Sequence, residues 1–280
     1  MIRSGATRLA GIMGWPVAHS LSPRLLGYWL ERYGIDGAYV PLAVRPERLG
    51  PALRALIDLG FAGCNLTVPH KEAALSVMDE VAEGTRRIGA INTVRVRSDG
   101  TLYGWNTDVE GYAQNLTAAL PGWSLIGKPA VLLGAGGAAR AVAAALAGMG
   151  AVEIRVVNRT LEGAQALAAT LGAPVRALPW ERLAEALAGA ALLVNATTLG
   201  MTGKPALVID LAPLPGEAVV NDIVYVPLET PLLAAARRRG HRAVDGLGML
   251  LHQAVPGFEA WFGKRPEVTP AVRDFVLARP

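Results

Sequence analysis

Residues 129–149 carry the most specific chemical signal in the 280-residue chain. A short apolar strand over 129–133 runs straight into Gly134-Ala135-Gly136-Gly137-Ala138-Ala139-Arg140, and an alanine-rich helical stretch follows over 141–149. In that pattern Gly134 permits a tight turn, Gly136 lets the backbone approach a pyrophosphate, and Ala139 takes the small third position where helix packs on strand. The next strand, 152–157, ends in Asn158-Arg159-Thr160, where a dinucleotide fold otherwise places an acid for the ribose 2′-hydroxyl. A guanidinium there removes the repulsion toward a 2′-phosphate and offers a fork to bind it, so NADP is expected over NAD.

Four polar clusters precede this motif, at strand ends or loops where an α/β sheet presents ligand groups. They are His19-Ser20-Leu21-Ser22-Pro23, Asn65-Leu66-Thr67-Val68-Pro69-His70-Lys71, Gly89-Ala90-Ile91-Asn92-Thr93 and Gly104-Trp105-Asn106-Thr107-Asp108. Taken singly, each has a plainer explanation. Ser20 or Ser22 could cap the helix that starts at Pro23, Asn92 and Asn106 could be turn residues, Lys71 could be a solvated cation, and Asp108 could cap a helix. Lys71 stands out by composition, because the chain has 23 Arg and only 4 Lys. No metal is expected: His19, His70, His241 and His252 lack ligand spacing, and Cys64 is the only cysteine.

The elements that must position these groups alternate between strand-like and helix-like runs, the sign of an α/β chain. Strands are expected over 9–13, 38–42 and 63–67, and helices over 23–33, 46–59 and 70–80. A hairpin over 91–97 and 102–105 breaks the rhythm around Ser98-Asp99-Gly100. A helix over 109–120 leads to a fresh strand-helix series from 128 to about 242. The tail, 247–262 and 270–277, is two helices without a strand, so it must pack on a sheet built elsewhere. The expected division is residues 1–108 with 246–280 as one domain and 109–245 as the other.

Length suggests about two domains. With 52% hydrophobic and 18% charged residues the chain is core-rich, neither disordered nor a coiled coil. The longest uncharged stretch, 186–203, is broken by Asn195, Thr197 and Thr198, so no membrane span is expected. Lack of a signal-peptide core and the single cysteine fit a reducing cytoplasm. Net charge of +4 is too mild to indicate nucleic acid, and the cluster Arg237, Arg238, Arg239 and Arg242 reads as a solvated helix end.

Taken together the motifs resemble the shikimate/quinate dehydrogenase family, over about residues 11–262. The resemblance rests on SLSP, NLTVPHK, GAINT, GWNTD, GAGGAAR, NRT, NATTLGM (Asn195 to Met201), DIVY (Asp222 to Tyr225) and DGLGMLLHQA (Asp245 to Ala254). It implies an N-terminal α/β substrate domain to which the C-terminal helices return, a Rossmann-type doubly wound NADP domain, and a cleft where the two face each other. It further implies Lys71 and Asp108 as the catalytic pair, and Ser20 and Ser22 on the substrate carboxylate. Asn65, Thr67, Asn92, Asp108, Tyr225 and Gln253 would hold the ring hydroxyls or line their pocket. Gly134, Ala135, Gly136, Gly137 and Ala138 would hold the pyrophosphate, Asn158, Arg159, Thr160 and Gly163 the adenosine phosphate end, and Ile223 and Gly246 the nicotinamide side.

The implied activity is reversible NADPH-dependent reduction of 3-dehydroshikimate to shikimate in aromatic amino-acid biosynthesis, by a monomer or homodimer. Hydride delivery to a ring ketone leaves charge on oxygen and needs a positioned proton donor, which Lys71 can be and Asp108 can hold. The nearest alternative is a quinate or dual quinate/shikimate dehydrogenase, against which the serine pair Ser20 and Ser22 tilts the reading. A non-catalytic NADP-sensing module would not need Lys71 with Asp108, and a folate or glutamyl dehydrogenase would share only the two-domain plan. The family often carries a second basic residue after NRT; here Leu161-Glu162-Gly163 leaves Arg159 alone, so NADP preference is expected to be weaker than usual.

Overall fold

The structure, a computed structural model, describes residues 3–278. The chain divides into two compact units, Met1–Asp108 with Leu250–Pro280, and Val109–Met249. The first contains β1 (Arg8–Gly14), α1 (Ser22–Arg32), β2 (Gly37–Ala43), α2 (Leu49–Asp58), β3 (Phe61–Leu66), β4 (Glu80–Val81), α3 (Glu83–Ile88), β5 (Thr93–Val96) and β6 (Leu102–Trp105). Its sheet runs β2-β1-β3-β5-β6-β4. β1 pairs in parallel with β2 and β3, while the hairpin strands β5 and β6 join antiparallel to β3 and to each other.

The helices of this unit follow from apolar spacing. α1 buries Ser22, Leu25, Leu26, Trp29 and Leu30, and α2 buries Leu49, Leu53 and Leu56, each a single stripe of 3.6-residue period. α4 (Asp108–Ala119) leads out of the unit, and α9 (Leu247–Phe262) and α10 (Pro270–Leu277) bring the tail back. Phe258 meets the Trp29 ring edge-on at 5.5 Å, Trp261 donates its indole N–H to the Val94 carbonyl at 3.0 Å, and Phe275 packs 4.8 Å from Tyr28. The strandless tail thus supplies the aromatic cover of the first sheet.

The second unit holds β7 (Pro129–Leu133), α5 (Gly137–Gly148), β8 (Glu153–Val157), α6 (Leu161–Leu171), β9 (Val175–Leu178), α7 (Leu183–Leu187), β10 (Leu192–Asn195), β11 (Val219–Asp222), α8 (Pro231–Arg238) and β12 (Arg242–Val244). All of its strand pairs are parallel, in the order β12-β11-β10-β7-β8-β9. The central strands are buried on both faces, so β7 and β10 read as nearly continuous apolar runs, while β8, β9 and β12 carry charged residues. Alternate residues serve two cores: Leu132, Val156, Leu192 and Val194 face one, and Val131, Leu133, Val157 and Leu193 the other. From β7 the connections run one way to β8 and β9 and the other way from β10 to β12, the doubly wound Rossmann-type plan.

Two expectations need correction. Residues 70–80 are not a continuous helix; only a 3₁₀ turn, Ala73–Ser76, forms, and Glu80–Val81 is a strand. Tertiary bonds take the backbone groups that a helix would use: the Lys71 carbonyl accepts from the Ile91 N–H at 2.7 Å, and the Asp79 N–H goes to the Leu102 carbonyl at 3.0 Å. The His70 ring is held by the Val44 carbonyl at 2.7 Å. The helix α3, unforeseen in the sequence, buries only Thr85 and Ile88 and stops at the left-handed Gly89, too short for periodicity to announce it. α5 also starts earlier than expected, at Gly137, so the last motif glycine is already helical.

Arg54 of α2 ties this irregular segment down with a fork on Asp79 at 2.6 and 2.9 Å and a third bond to the Val77 carbonyl. The guanidinium, with the Leu102 N–H, holds the Asp79 carboxyl at about 2. A carboxyl depressed on folding stabilises the fold above its ordinary value near 4, and that contribution disappears as pH falls through about 2. Arg54→Ala is therefore expected to lower Tm at pH 7, with the difference from wild type shrinking between pH 4 and pH 2. Thermal unfolding of both proteins at pH 7, 4, 3 and 2 checks this; a pH-independent difference would refute the ion pair as its source.

Candidate active site

Asn92 sits at the hub of a buried polar network in the first unit, immediately ahead of β5. Its amide oxygen accepts from the Thr107 N–H at 2.8 Å and the Thr93 hydroxyl at 3.0 Å. Its Nδ2 faces Thr107 Oγ1 at 2.9 Å, Asp108 Oδ1 at 2.9 Å and Gln253 Oε1 at 3.2 Å. Gln253 comes from α9 and is itself fixed by donating to the Leu250 carbonyl at 3.0 Å. The hairpin, the start of α4 and the returning helix thus converge on one carboxamide.

Lys71 Nζ donates to the other oxygen of Asp108, Oδ2, at 2.6 Å, with the two side chains 14% and 5% exposed. The capping duty that Asp108 could have performed falls to Asn106, whose Oδ1 accepts the Asp108 N–H at 2.9 Å and whose Nδ2 donates to the Ala90 carbonyl at 2.8 Å. Both oxygens of Asp108 are therefore free for Lys71 and Asn92. The result is an ammonium group held against a fixed carboxylate, an arrangement able to give or take a proton at one place.

Asn65, at the end of β3, turns its amide inward. Nδ2 donates to the Asn92 carbonyl at 3.1 Å and to Thr93 Oγ1 at 3.2 Å, and Oδ1 accepts from the Tyr39 hydroxyl at 2.6 Å. Thr67 follows, half-buried, with its N–H on the Met13 carbonyl at 2.9 Å. Ser22 is buried as the first residue of α1, and its N–H donates to Ser20 Oγ at 3.2 Å. Two hydroxyls at the head of an eleven-residue helix suit a carboxylate, because the helix dipole is positive there.

The cofactor candidates lie in the second unit at the carboxyl ends of β7, β8, β11 and β12. Gly134 has φ of +108°, and a Cβ there would fall 2.9 Å from the Ala196 carbonyl oxygen, so the turn admits only glycine. Gly136 precedes α5 with no side chain capping the helix, leaving its first N–H groups without a side-chain acceptor and suited to an anion. Ala135, Gly137 and Ala138 complete the turn. Asn158 Nδ2 bonds the Thr160 carbonyl at 2.9 Å, Arg159 and Thr160 are exposed, and Gly163 lies in the first turn of α6 against Asn158. Gly246 packs on Ile223 so closely that a Cβ would lie 2.1 Å from its carbonyl oxygen. This cradle of bare backbone with one exposed guanidinium fits an NADP dinucleotide. Tyr225, half-buried after β11, belongs to this unit rather than to the one holding the other substrate candidates.

Comparison with known proteins agrees with this arrangement. Family models described as the shikimate dehydrogenase substrate binding domain, shikimate/quinate 5-dehydrogenase and the shikimate 5′-dehydrogenase C-terminal domain match residues 12–94, 117–202 and 246–273. The chain is 61% identical over 275 residues to the shikimate dehydrogenase (NADP(+)) of Paramagnetospirillum magneticum, covering 98% of this chain and 100% of that one. The chain belongs to the shikimate dehydrogenase family. Among solved structures, the shikimate 5-dehydrogenase of Thermus thermophilus in complex with NADP(H) and shikimate has 40% identity and a TM-score of 0.85, with 96% and 98% of the two chains covered. Quinate dehydrogenase from Corynebacterium glutamicum in complex with NAD has 33% identity and a TM-score of 0.86, with 96% and 97% covered.

In this shikimate dehydrogenase family member the sequence motifs name Lys71, Asp108, Asn92, Asn65 and Gln253, and the structure brings those five into one network. Thr93 and Thr107 stand inside quoted motifs without a role assigned from sequence, and their neighbours were the signal. Tyr39 had none, since it lies on β2 far from every motif. The Asn92 carbonyl can only accept, so it obliges Asn65 to present Nδ2 there and Oδ1 to Tyr39. Tyr39→Phe should leave that oxygen buried without a donor and lower unfolding free energy by about 1–3 kcal/mol. Urea unfolding monitored by circular dichroism measures it; a change within error would show that the bond is dispensable.

Proposed function

We propose that this chain catalyses the reversible reduction of 3-dehydroshikimate to shikimate with NADPH, and that it does so in the cytoplasm. The carrying observation is the Lys71–Asp108 pair at 2.6 Å, held on its far side by Asn92. The 61% identity to a protein named shikimate dehydrogenase (NADP(+)), against 33% to a quinate dehydrogenase, supports shikimate as the substrate. NADPH, when bound, would supply hydride to the ketone carbon. Everything else falls to the chain's own groups.

Ser20 and Ser22 hold the substrate carboxylate at the head of α1, which orients the ring. As the ketone is reduced, Lys71 Nζ delivers a proton to its oxygen and takes one back in the reverse direction. Asp108 Oδ2 keeps the ammonium in place, while Asn92 on Oδ1 prevents the carboxylate from rotating away. Thr67, Asn92, Tyr225 and Gln253 contact the ring hydroxyls, and Asn65 lines their pocket from behind. Gly134 to Ala138 hold the pyrophosphate, and Arg159 with its neighbours binds the 2′-phosphate.

Lys71 is one of four lysines in an arginine-dominated chain, and arginine cannot release its proton near neutral pH. Lys71→Ala should cut kcat by roughly a hundredfold or more with a modest effect on KM, and Lys71→Arg should retain charge yet lose most turnover. Steady-state assays with 3-dehydroshikimate and NADPH, run beside quinate oxidation, test this. Near-normal kcat in the arginine variant would make Lys71 a binding group, and a higher kcat/KM for quinate would overturn the substrate.

Arg159→Ala should weaken NADPH binding by about tenfold or more while leaving NADH binding nearly unchanged, because only NADPH offers the guanidinium a phosphate. Fluorescence titration of both cofactors reads this, and equal losses would remove Arg159 from the 2′-phosphate site.

A further inference from the structure

The row of residues at the carboxyl edge of the second sheet is defined by strand pairing. Leu133 of β7 pairs with Asn195 of β10, which pairs with Asp222 of β11. The two halves of the sheet diverge between β7 and β10, and in doubly wound sheets the ligand crevice opens at such a switch point. Gly134 follows Leu133 on one side of it, and Ala196 follows Asn195 on the other. The Ala196 N–H donates to the Leu133 carbonyl at 2.8 Å, and its own carbonyl oxygen is the atom that forbids a Cβ on Gly134. The loop after β10 is therefore the wall against which the pyrophosphate turn is set.

A single buried carboxylate holds that wall. Asp222 is fully buried, and no step of the reaction proposed above uses it. Oδ1 accepts from Asn195 Nδ2 at 2.9 Å and from the Val224 N–H at 3.0 Å, and Oδ2 accepts from the Thr230 hydroxyl at 2.7 Å. Asn195 passes the restraint on, its Oδ1 accepting from the Thr197 N–H and hydroxyl at 3.0 and 2.7 Å. Thr230 caps α8 through the Leu233 N–H. No cation takes part in these bonds, so the carboxylate acts through the geometry of its acceptors.

We propose that Asp222 is a positioning residue for the cofactor: it fixes the loop after β10, the Ile223–Val224 segment and the head of α8 as one wall of the crevice. The adenosine end is assigned to the β8 side by Arg159, so the wall that Asp222 holds lies on the nicotinamide side. The inference rests on the reading of this unit as the NADP-binding one.

The test compares NADPH KM, kcat and Tm in Asp222→Leu, Asp222→Asn, Thr230→Val and Thr230→Ser. Asp222→Leu should raise NADPH KM by about tenfold or more and lower kcat. Asp222→Asn keeps an acceptor for Asn195 and Val224 and can donate to Thr230, so it should stay within about threefold. A merely structural role would reduce the folded fraction, which lowers apparent kcat and Tm but leaves KM of the surviving enzyme unchanged. That result in Asp222→Leu overturns the proposal. Should the leucine variant fail to fold, Thr230→Val decides: NADPH KM raised about threefold or more and restored by Thr230→Ser supports the proposal, and an unchanged KM overturns it. Wild-type protein that binds no NADPH would overturn the functional reading itself, which separates the two failures.

Discussion

A lysine and an aspartate taken out of water are stable together only when their remaining protons and lone pairs are also satisfied. In the first unit that requirement shapes the surroundings. Lys71 satisfies one oxygen of Asp108, and Asn92 must satisfy the other. Asn92 in turn needs donors for its own oxygen, which Thr93 and the Thr107 backbone provide. The backbone that carries these groups comes from β5, the turn before α4, and the segment after β3, which explains why an antiparallel hairpin interrupts an otherwise βα pattern. Gln253 brings α9 into the same network, so the returning tail is joined to the site by hydrogen bonding as well as by the packing of Phe258 and Trp261.

The segment between β3 and β4 shows what such a site costs in regular structure. A helix over 70–80 would satisfy its backbone internally, yet it would withdraw the Lys71 carbonyl from Ile91 and the Asp79 N–H from Leu102. Those two bonds anchor the loop at the ammonium-bearing residue and at its far end. The chain gives up about two turns of helix and gains a lysine whose backbone is tied to the strand end carrying Asn92. Arg54 on Asp79 then compensates for the lost regularity from the outside.

Much of this architecture was legible in the sequence wherever one periodicity governed a long segment. The apolar central strands of the second unit, the glycine turn and the two tail helices follow from local pattern, because burial on both faces or on one stripe leaves a clear imprint. The 70–80 segment and α3 did not, since their conformations are decided by tertiary bonds and by a mere two buried side chains. Of the polar site, the motifs revealed the residue types and their proximity to strand ends. Spacing alone did not show which of them face one another, although the family resemblance paired Lys71 with Asp108: the division of labour between Asn106 as cap and Asp108 as partner of Lys71 depends on a hairpin register. Tyr39 is the clearest case, a residue with no local signal whose hydroxyl meets Asn65 only because β1 lies between β2 and β3.

The two buried aspartates make opposite use of their environments. Asp108 is matched by a cation, whereas Asp222 has only the hydroxyl of Thr230, the amide of Asn195 and the Val224 N–H. Burial raises the Asp222 carboxyl above its ordinary value, and its three hydrogen bonds oppose that rise without cancelling it. A carboxyl raised on folding favours the folded state most fully below its unfolded value near 4, and that advantage is lost as pH rises through the folded value. Ionisation of the buried Asp222 carboxyl therefore works against the fold. An apolar side chain would remove that penalty but would leave Asn195, Val224 and Thr230 without a common acceptor, and the loops at the switch point without a common origin. Burial opposes the charge of this side chain; the three segments that it joins at the mouth of the sheet are the physical reason for its place there.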